Sequence, residues 1–476
     1  MPKSLGLLAS ASALAIAVVA CRGAAKPPPL PEVPISSASQ TPASSLPAIT
    51  AVPPDSGVTD EQESREIRRT LRIVSAIRGL QSKTEVPGKV LSRDALLARV
   101  KQHVAVDVPV SAMTNEGLTY QLLGLLPVGT ATAPFDYTAQ TFSLLESQLA
   151  GYYEPGDKTM YMAADLDEEM AFATLSHELV HALQDQYWDL KTKSKWAAGR
   201  SDSLFAQSCL AEGDATSVMI DVMLREKGMT AIDLPDKLLT PEMFLKSDTT
   251  AAATTTPHFM RASLIAPYVE GLRFVHARRR MSAPGECSAV NQTWDRVPVS
   301  TEQILHPAKW DASEAPLAIP APTFAALGKD YFSADQDTLG ELVLRLAFAE
   351  WMPDDKAIAA ATNWGGDRTA LVKKGDTSAF AWLVRWDEAK KDAKGVTHYA
   401  TDAWAALAPA FATKFSPSVK EASFLCAVRP DVGPIAIASK GRDIVFIGGP
   451  TTVKGGSFTS AGDCALAKKW AAEILK

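Results

Sequence analysis

The chain has 476 residues, 46% hydrophobic and 21% charged, an ordinary globular balance with enough length for two domains. Acidic residues outnumber basic ones by 54 to 48, so the net charge of −6 gives no reason to expect a nucleic-acid partner. The one dense basic run, Arg278-Arg279-Arg280, reads as a solvated helix face.

Lys3 precedes an apolar run from Leu5 to Val19, too short for a comfortable transmembrane helix, and residues 1–20 read as a secretory signal peptide. The run ends in Val18-Val19-Ala20-Cys21, which resembles the lipobox of bacterial lipoproteins. That resemblance implies lipidation at Cys21 and export to the bacterial cell envelope. Arg22, where an aspartate would favour the inner membrane, implies an outer-membrane anchor. A plain signal peptide with an incidental cysteine is the alternative.

Residues 21–58 are rich in Pro, Ala and Ser and lack periodic apolar positions, as expected of a disordered tether. A first folded domain is expected over 59–330. Ile67, Leu71, Val74 and Ile77 recur at helical spacing, and Gly79 is a stop. A second helix is expected near 136–150. GYYEPGDKTMYMA then predicts a β-hairpin around Pro155-Gly156-Asp157-Lys158. A helix over 165–187 follows, with Asp165 as N-cap and Glu168 three positions on, and another over 203–225. TTAAATTTP at 249–257 reads as a mobile loop.

From 331 to 476 a smaller α+β domain is expected. It contains a helix in LGELVLRLAFAEW, a turn at Trp364–Arg368, and strands in FAWLVRW and DIVFIGG. The fold class is therefore α+β, helix-rich with a small hairpin sheet and then a smaller α+β unit. Four cysteines remain after Cys21. Cys426 and Cys464 share one C-terminal segment and are the favoured disulfide, with Cys209–Cys287 as the second pair. No C-x-x-C occurs, which argues against a zinc knuckle.

The chemistry concentrates in ATLSHELVHALQDQYWDL, residues 173–190. On a helix His177 and His181 share a face and can present ring nitrogens to one ion, while Glu178 is offset and can reach a water there as a general base. Leu175, Leu179, Val180 and Leu183 mark a largely buried helix, where unpaired polar groups cost roughly 1–3 kcal/mol each. The alternative is two satisfied core histidines with a paired glutamate. For a third ligand, a continuation with Gly at 184 and His at 187 is absent, since those positions hold Gln184 and Tyr187. SCLAEGDATSVM supplies Glu212, with Ala211, Gly213 and Ala215 small enough to let the helices approach; Asp214 or Asp202 is the fallback. Asp185, four residues after His181, is a candidate to hold a ligand histidine. Tyr268, His306 and Arg200 are candidate donors to a developing oxyanion. His103, His258, His276 and His398 sit in no motif.

HELVHALQD followed by AEGDA resembles the gluzincins, metallopeptidases with an H-E-x-x-H helix and a later glutamate ligand. Likeness to the thermolysin-like group extends over HELVHALQD, Asp185 included. GYYEPGDKTMYM, APYVEGLRFV, STEQILHPAKW and NWGGDR extend a likeness to poorly characterised bacterial and archaeal zinc peptidases over most of 60–390. The resemblance implies a zincin-like fold, Zn²⁺ on His177, His181 and Glu212, and the hairpin as an edge strand to which an extended peptide adds. The expected function is hydrolysis of peptide bonds in envelope or extracellular proteins. The competing expectations are a non-catalytic envelope lipoprotein and an amidase acting on cell-wall crosslinks. The expected partners are a protein or peptide substrate and a membrane reached through a lipid anchor.

Overall fold

The computed structural model describes residues 60–130, 132–240, 255–388, 391–392, 395–396 and 399–476. The signal segment, Cys21, the tether, most of the 249–257 loop and His398 lie outside them. The architecture is mixed α+β, helices first and an antiparallel sheet after. No helix among the described residues is long and apolar enough to cross a membrane.

α1 (Asp60–Arg78) stops at Gly79, whose φ of +73° supplies the left-handed turn. β1 (Gly88–Leu91), α2 (Arg93–Asp107), α3 (Val110–Leu122) and α4 (Tyr137–Gln148) follow, with Asp136 capping α4. The expected hairpin forms from β2 (Gly151–Glu154) and β3 (Thr159–Ala163). β1 pairs with β3 in parallel, so the sheet order is β1–β3–β2 and β2 lies at an edge.

α5 (Glu168–Trp188) carries the H-E-x-x-H residues. Its N-cap is Asp167, which accepts from the Met170 N–H; Asp165 falls outside the helix and pairs with Arg93 instead. α5 packs Leu175, Leu179 and Leu183 against Ile67, Leu71 and Val74 of α1, forming one compact apolar cluster. α6 (Ser201–Leu224) and α7 (His258–Arg279) lie with their backbones in contact. A Cβ on Gly213 would meet the Gly271 carbonyl carbon at 2.1 Å, and one on Gly271 would meet the Cys209 carbonyl oxygen at 1.9 Å. Gly213 thus makes room for α7; Ala215 is the residue that packs toward α1 and α5. α8 (Ser288–Asp295) brings Trp294 beneath α5, stacked on Trp188.

Arg278–Arg280 is not a solvated face. Arg278 and Arg279 are buried and paired with Asp311 and Asp221, and only Arg280 is exposed. A helix packed on several neighbours leaves too little free surface for three cations, so Arg279 pairs with the buried Asp221 while the buried Arg278 reaches out to the exposed Asp311.

The C-terminal region contains β4 (Phe332–Asp335), α9 (Gly340–Ala349), α10 (Asp354–Ala361), β5 (Trp364–Lys374), β6 (Thr377–Trp386), α11 (Tyr399–Phe415), β7 (Val419–Glu421), β8 (Phe424–Arg429), β9 (Gly433–Lys440), β10 (Asp443–Lys454), β11 (Ser457–Ser460) and α12 (Cys464–Ile474). The sheet runs β7–β8–β9–β10–β6–β5–β4, with β11 on β10. Trp364–Arg368 opens strand β5 with a bulge and forms no turn. The glycines serve close approach: Leu317 donates its N–H to the Gly365 carbonyl, and a Cβ on Gly366 would lie 2.5 Å from the Leu317 oxygen.

The alternation along β6 sets its two faces. Phe380, Trp382, Val384 and Trp386 face the helical body, while Ala379, Ala381 and Leu383 face α12. The first of these clusters runs unbroken from Leu96 to Phe446, across the boundary expected near residue 330. The expected Cys426–Cys464 disulfide is formed and fastens α12 to β8. The second pair is not: Cys209 lies mid-α6 against α7, Cys287 precedes α8, and both are buried free thiols.

Gly271→Ala forces α6 and α7 apart, so stability should fall by about 3 kcal/mol, the upper end for overpacking. Urea unfolding checks this. An unchanged midpoint would mean that the two backbones are not in contact.

Candidate metal centre

α5 and α6 cross so that three lone-pair atoms converge. His177 Nε2 lies 3.1 Å from His181 Nε2 and 3.1 Å from Glu212 Oε2, and His181 Nε2 lies 3.5 Å from the same oxygen. All three side chains are buried. Four-coordinate zinc with bonds of about 2.0–2.2 Å places its ligand atoms roughly 3.3–3.6 Å apart, so the triangle has the size of one face of such a tetrahedron. Two imidazole nitrogens only 3.1 Å apart leave no room for a water between them and need a cation or a proton there. The residues therefore fit a small divalent ion.

The orientation of His181 comes from a buried chain of hydrogen bonds. Its Nδ1 lies 2.8 Å from Gln184 Oε1. The Gln184 amide nitrogen donates to the Ala211 carbonyl and to Asp214, both 3.1 Å away, which leaves Oε1 as the atom facing the histidine. The His181 proton must then sit on Nδ1, and the Nε2 lone pair points at the site. Asp214 also accepts from Arg78 at 2.7 Å and Trp294 at 3.0 Å. It supports the ligand set and is not itself a ligand.

Asp185 does not reach a ligand histidine. It is buried and accepts from the Tyr153 hydroxyl, the Lys158 ammonium and the Leu190 N–H. The side chain one residue earlier, Gln184, holds the histidine. Glu178 accepts the outward N–H of Tyr153 on edge strand β2 at 2.9 Å, so this carboxylate joins the metal helix to the sheet edge. Tyr268 of α7 stands beside the set. Its ring centre is 6.0 Å from that of His177 and its phenol hydrogen-bonds Glu212, with burial and that carboxylate holding its pKa well above the usual range.

The charges are arranged to hold a cation. Burial works to lower the His181 pKa, but Glu212 overcomes it and the imidazole is raised to about 9. Glu212 is lowered although burial opposes it, because His181 and His177 stabilise its charge. Burial raises Glu178, partly offset by His181 and His177. Without an ion, then, a proton on His181 offsets the Glu212 charge.

The remaining sequence candidates lie elsewhere. Asp202 accepts from the N–H and hydroxyl of Thr301, ten residues and about 15 Å of helix before Glu212. Arg200 is exposed just before α6. His306 pairs with Glu341 at 2.8 Å, His103 with Glu154, and His258 with Glu350; His276 is buried and pushed down to about 4 by desolvation. A second acidic group, Glu302, Glu314 and Asp387, already surrounds the Lys309 ammonium at 2.5–2.6 Å. A cavity of about 40 Å³ reaches His181 and Glu212 between Pro155, Leu190, Leu204 and Trp294.

A domain of unknown function, DUF8575, matches residues 329–454, from just before β4 to the end of β10. Every residue of the metal centre lies outside that match. No curated protein matches the chain.

Two outcomes follow from this geometry. Because His181 titrates near 9, an incoming divalent ion must displace its proton. Apparent zinc affinity should therefore rise about tenfold per pH unit between about pH 6 and 8. Competition with a chelating dye checks the slope, and a flat profile would exclude the protonated His181. Gln184→Leu should weaken zinc binding by about 10–100-fold while His177, His181 and Glu212 remain. Unchanged affinity would deny the glutamine its positioning role.

Proposed function

We propose that the chain is a zinc-dependent peptidase of the bacterial cell envelope, with His177, His181 and Glu212 holding the ion and Glu178 as general base. The observation that carries this reading is the convergence of the three lone-pair atoms at 3.1–3.5 Å, with an unliganded glutamate on the same helix. Bound there, zinc would supply a Lewis acid that polarises a carbonyl and makes water acidic enough to be used near neutral pH.

The chain's own groups do the rest. Glu178 is buried, and its raised pKa brings it closer to neutral pH, which suits a base that must accept a proton and later return it. The Tyr153 N–H fixes one of its oxygens. Tyr268 holds Glu212 in place through its phenol. β2 is an edge strand whose outward Tyr153 N–H is held by Glu178, so an extended peptide pairing with it would have to displace that contact and would then lie next to Glu178. The disulfide between Cys426 and Cys464 supports an oxidising compartment, in keeping with export and an anchor at Cys21.

One observation favours a second reading, a metal site held for binding or stability alone. The ligands are almost wholly buried, β2 is covered along its length, and the adjoining cavity is small. Catalysis requires an opening on the Pro155 and Leu190 side. Casein and peptidoglycan digestion, run side by side on wild type and Glu178→Gln, separate these readings. Glu178→Gln should keep its zinc and lose hydrolysis by about 10³-fold or more. Glu212→Ala should lose the zinc itself. Full zinc with no hydrolysis of either substrate by the wild type would leave the binding reading standing.

A further inference from the structure

Helix α1 carries a cationic face that the metal centre does not use. Arg65, Arg68, Arg69 and Arg72 follow one another at i, i+3, i+4 and i+7, which places them on one side of the helix. All four are exposed, and none forms an ion pair with a described residue. The opposite side of α1, with Ile67, Leu71 and Val74, is buried against α5, so the arginine side is held pointing away from the body.

One lysine extends the patch. Lys83 is anchored on the Gln186 carbonyl and over the Tyr187 ring. Between α1 and the 81–86 segment runs an open groove of about 550 Å³, with Arg68, Arg72 and Lys83 on its walls and Ser75, Ser82 and Thr84 among its lining. Glu66 and Glu85 are exposed acids nearby, and Asp60, Glu61 and Glu63 precede the arginines on the same helix. The arginine face itself sets four exposed cations side by side in a chain of net charge −6.

Position in the chain decides the partner. α1 begins at Asp60, directly after the segment read as leading to an anchor at Cys21. Whatever holds that segment is tethered beside the arginine face at high effective concentration. We propose that this face docks on the anionic phospholipid surface of the membrane that holds the chain, with the arginines engaging lipid phosphates. Arginine suits the task because its planar fork donates two hydrogen bonds to one phosphate. A basic patch beside a lipid anchor turns a loose tether into a defined orientation. The proposal rests on the envelope-anchor reading and is independent of whether the metal centre hydrolyses peptides.

The test uses the full-length protein purified from membranes and reconstituted in nanodiscs, of phosphatidylcholine alone or with phosphatidylglycerol added. Arginine labelling by phenylglyoxal is read by mass spectrometry, with Arg442 on the C-terminal sheet as the internal reference. Labelling of Arg65, Arg68, Arg69 and Arg72 should fall by about threefold or more on the anionic discs at about 0.1 M salt, and recover at about 0.5 M as the charges are screened. Equal labelling on the two discs would overturn the proposal, as would protection that survives high salt. Protein that floats free of both discs would remove the anchor and this placement together. Zinc content and hydrolysis, measured on the same preparation, report separately on the metal centre.

Discussion

Two imidazoles and a carboxylate brought within 3.5 Å of one another in a buried core need a cation or a proton between them. The rest of the helical body is arranged around that constraint. Arg78 at the end of α1 pairs with Asp214, which holds the Gln184 amide, which fixes the tautomer of His181. Each link is buried, so removing one leaves a polar group with neither water nor a partner. A helix far away in sequence is in this way made part of the geometry of the ligands.

Close packing on the far side of α6 completes the arrangement. Gly213 and Gly271 let α7 approach α6 until their backbones touch, and that approach carries Tyr268 to Glu212. On the near side the edge strand β2 donates the Tyr153 N–H to Glu178, so the sheet positions the glutamate that the ligands do not. The site is therefore held from α1, α7 and β2 at once. Its tightness also explains its burial, which leaves only a small cavity beside His181.

The C-terminal sheet contributes support and no described ligand. Its large side chains, Trp382, Trp386 and Phe446 among them, continue the core begun by α2 and α3. Arg429 of β8 donates to the α3 carbonyls at Gln121 and Leu122, tying the sheet to the helices by hydrogen bonds as well as by apolar contact. On the other face the disulfide holds α12 in place.

How much of this was legible in advance depends on the range over which each feature is decided. The spacing of Ile67, Leu71 and Val74, the hairpin around Pro155-Gly156, the H-E-x-x-H helix and the choice of Glu212 all rest on local periodicity and side-chain chemistry, and a local pattern survives folding. Gln184 is equally local, three residues from His181 on the same helix, and it meets the imidazole in place of Asp185 because that carboxylate is taken up by Tyr153, Lys158 and the Leu190 N–H. Other features are set by neighbours distant in sequence. Asp165 lost its capping role because the helix began at Glu168, and Trp364–Arg368 became a strand because it pairs with Leu383–Trp386 of β6, with Leu317 against its other edge at Gly365. Cys209 and Cys287 stayed apart because α6 and α8 place them so, and Arg278 and Arg279 turned inward to Asp311 and Asp221. The sequence by itself determined which groups could bind a metal. Only the tertiary structure decided which of them meet and what holds them there, because those distances follow from helix crossings fixed by packing across the whole core.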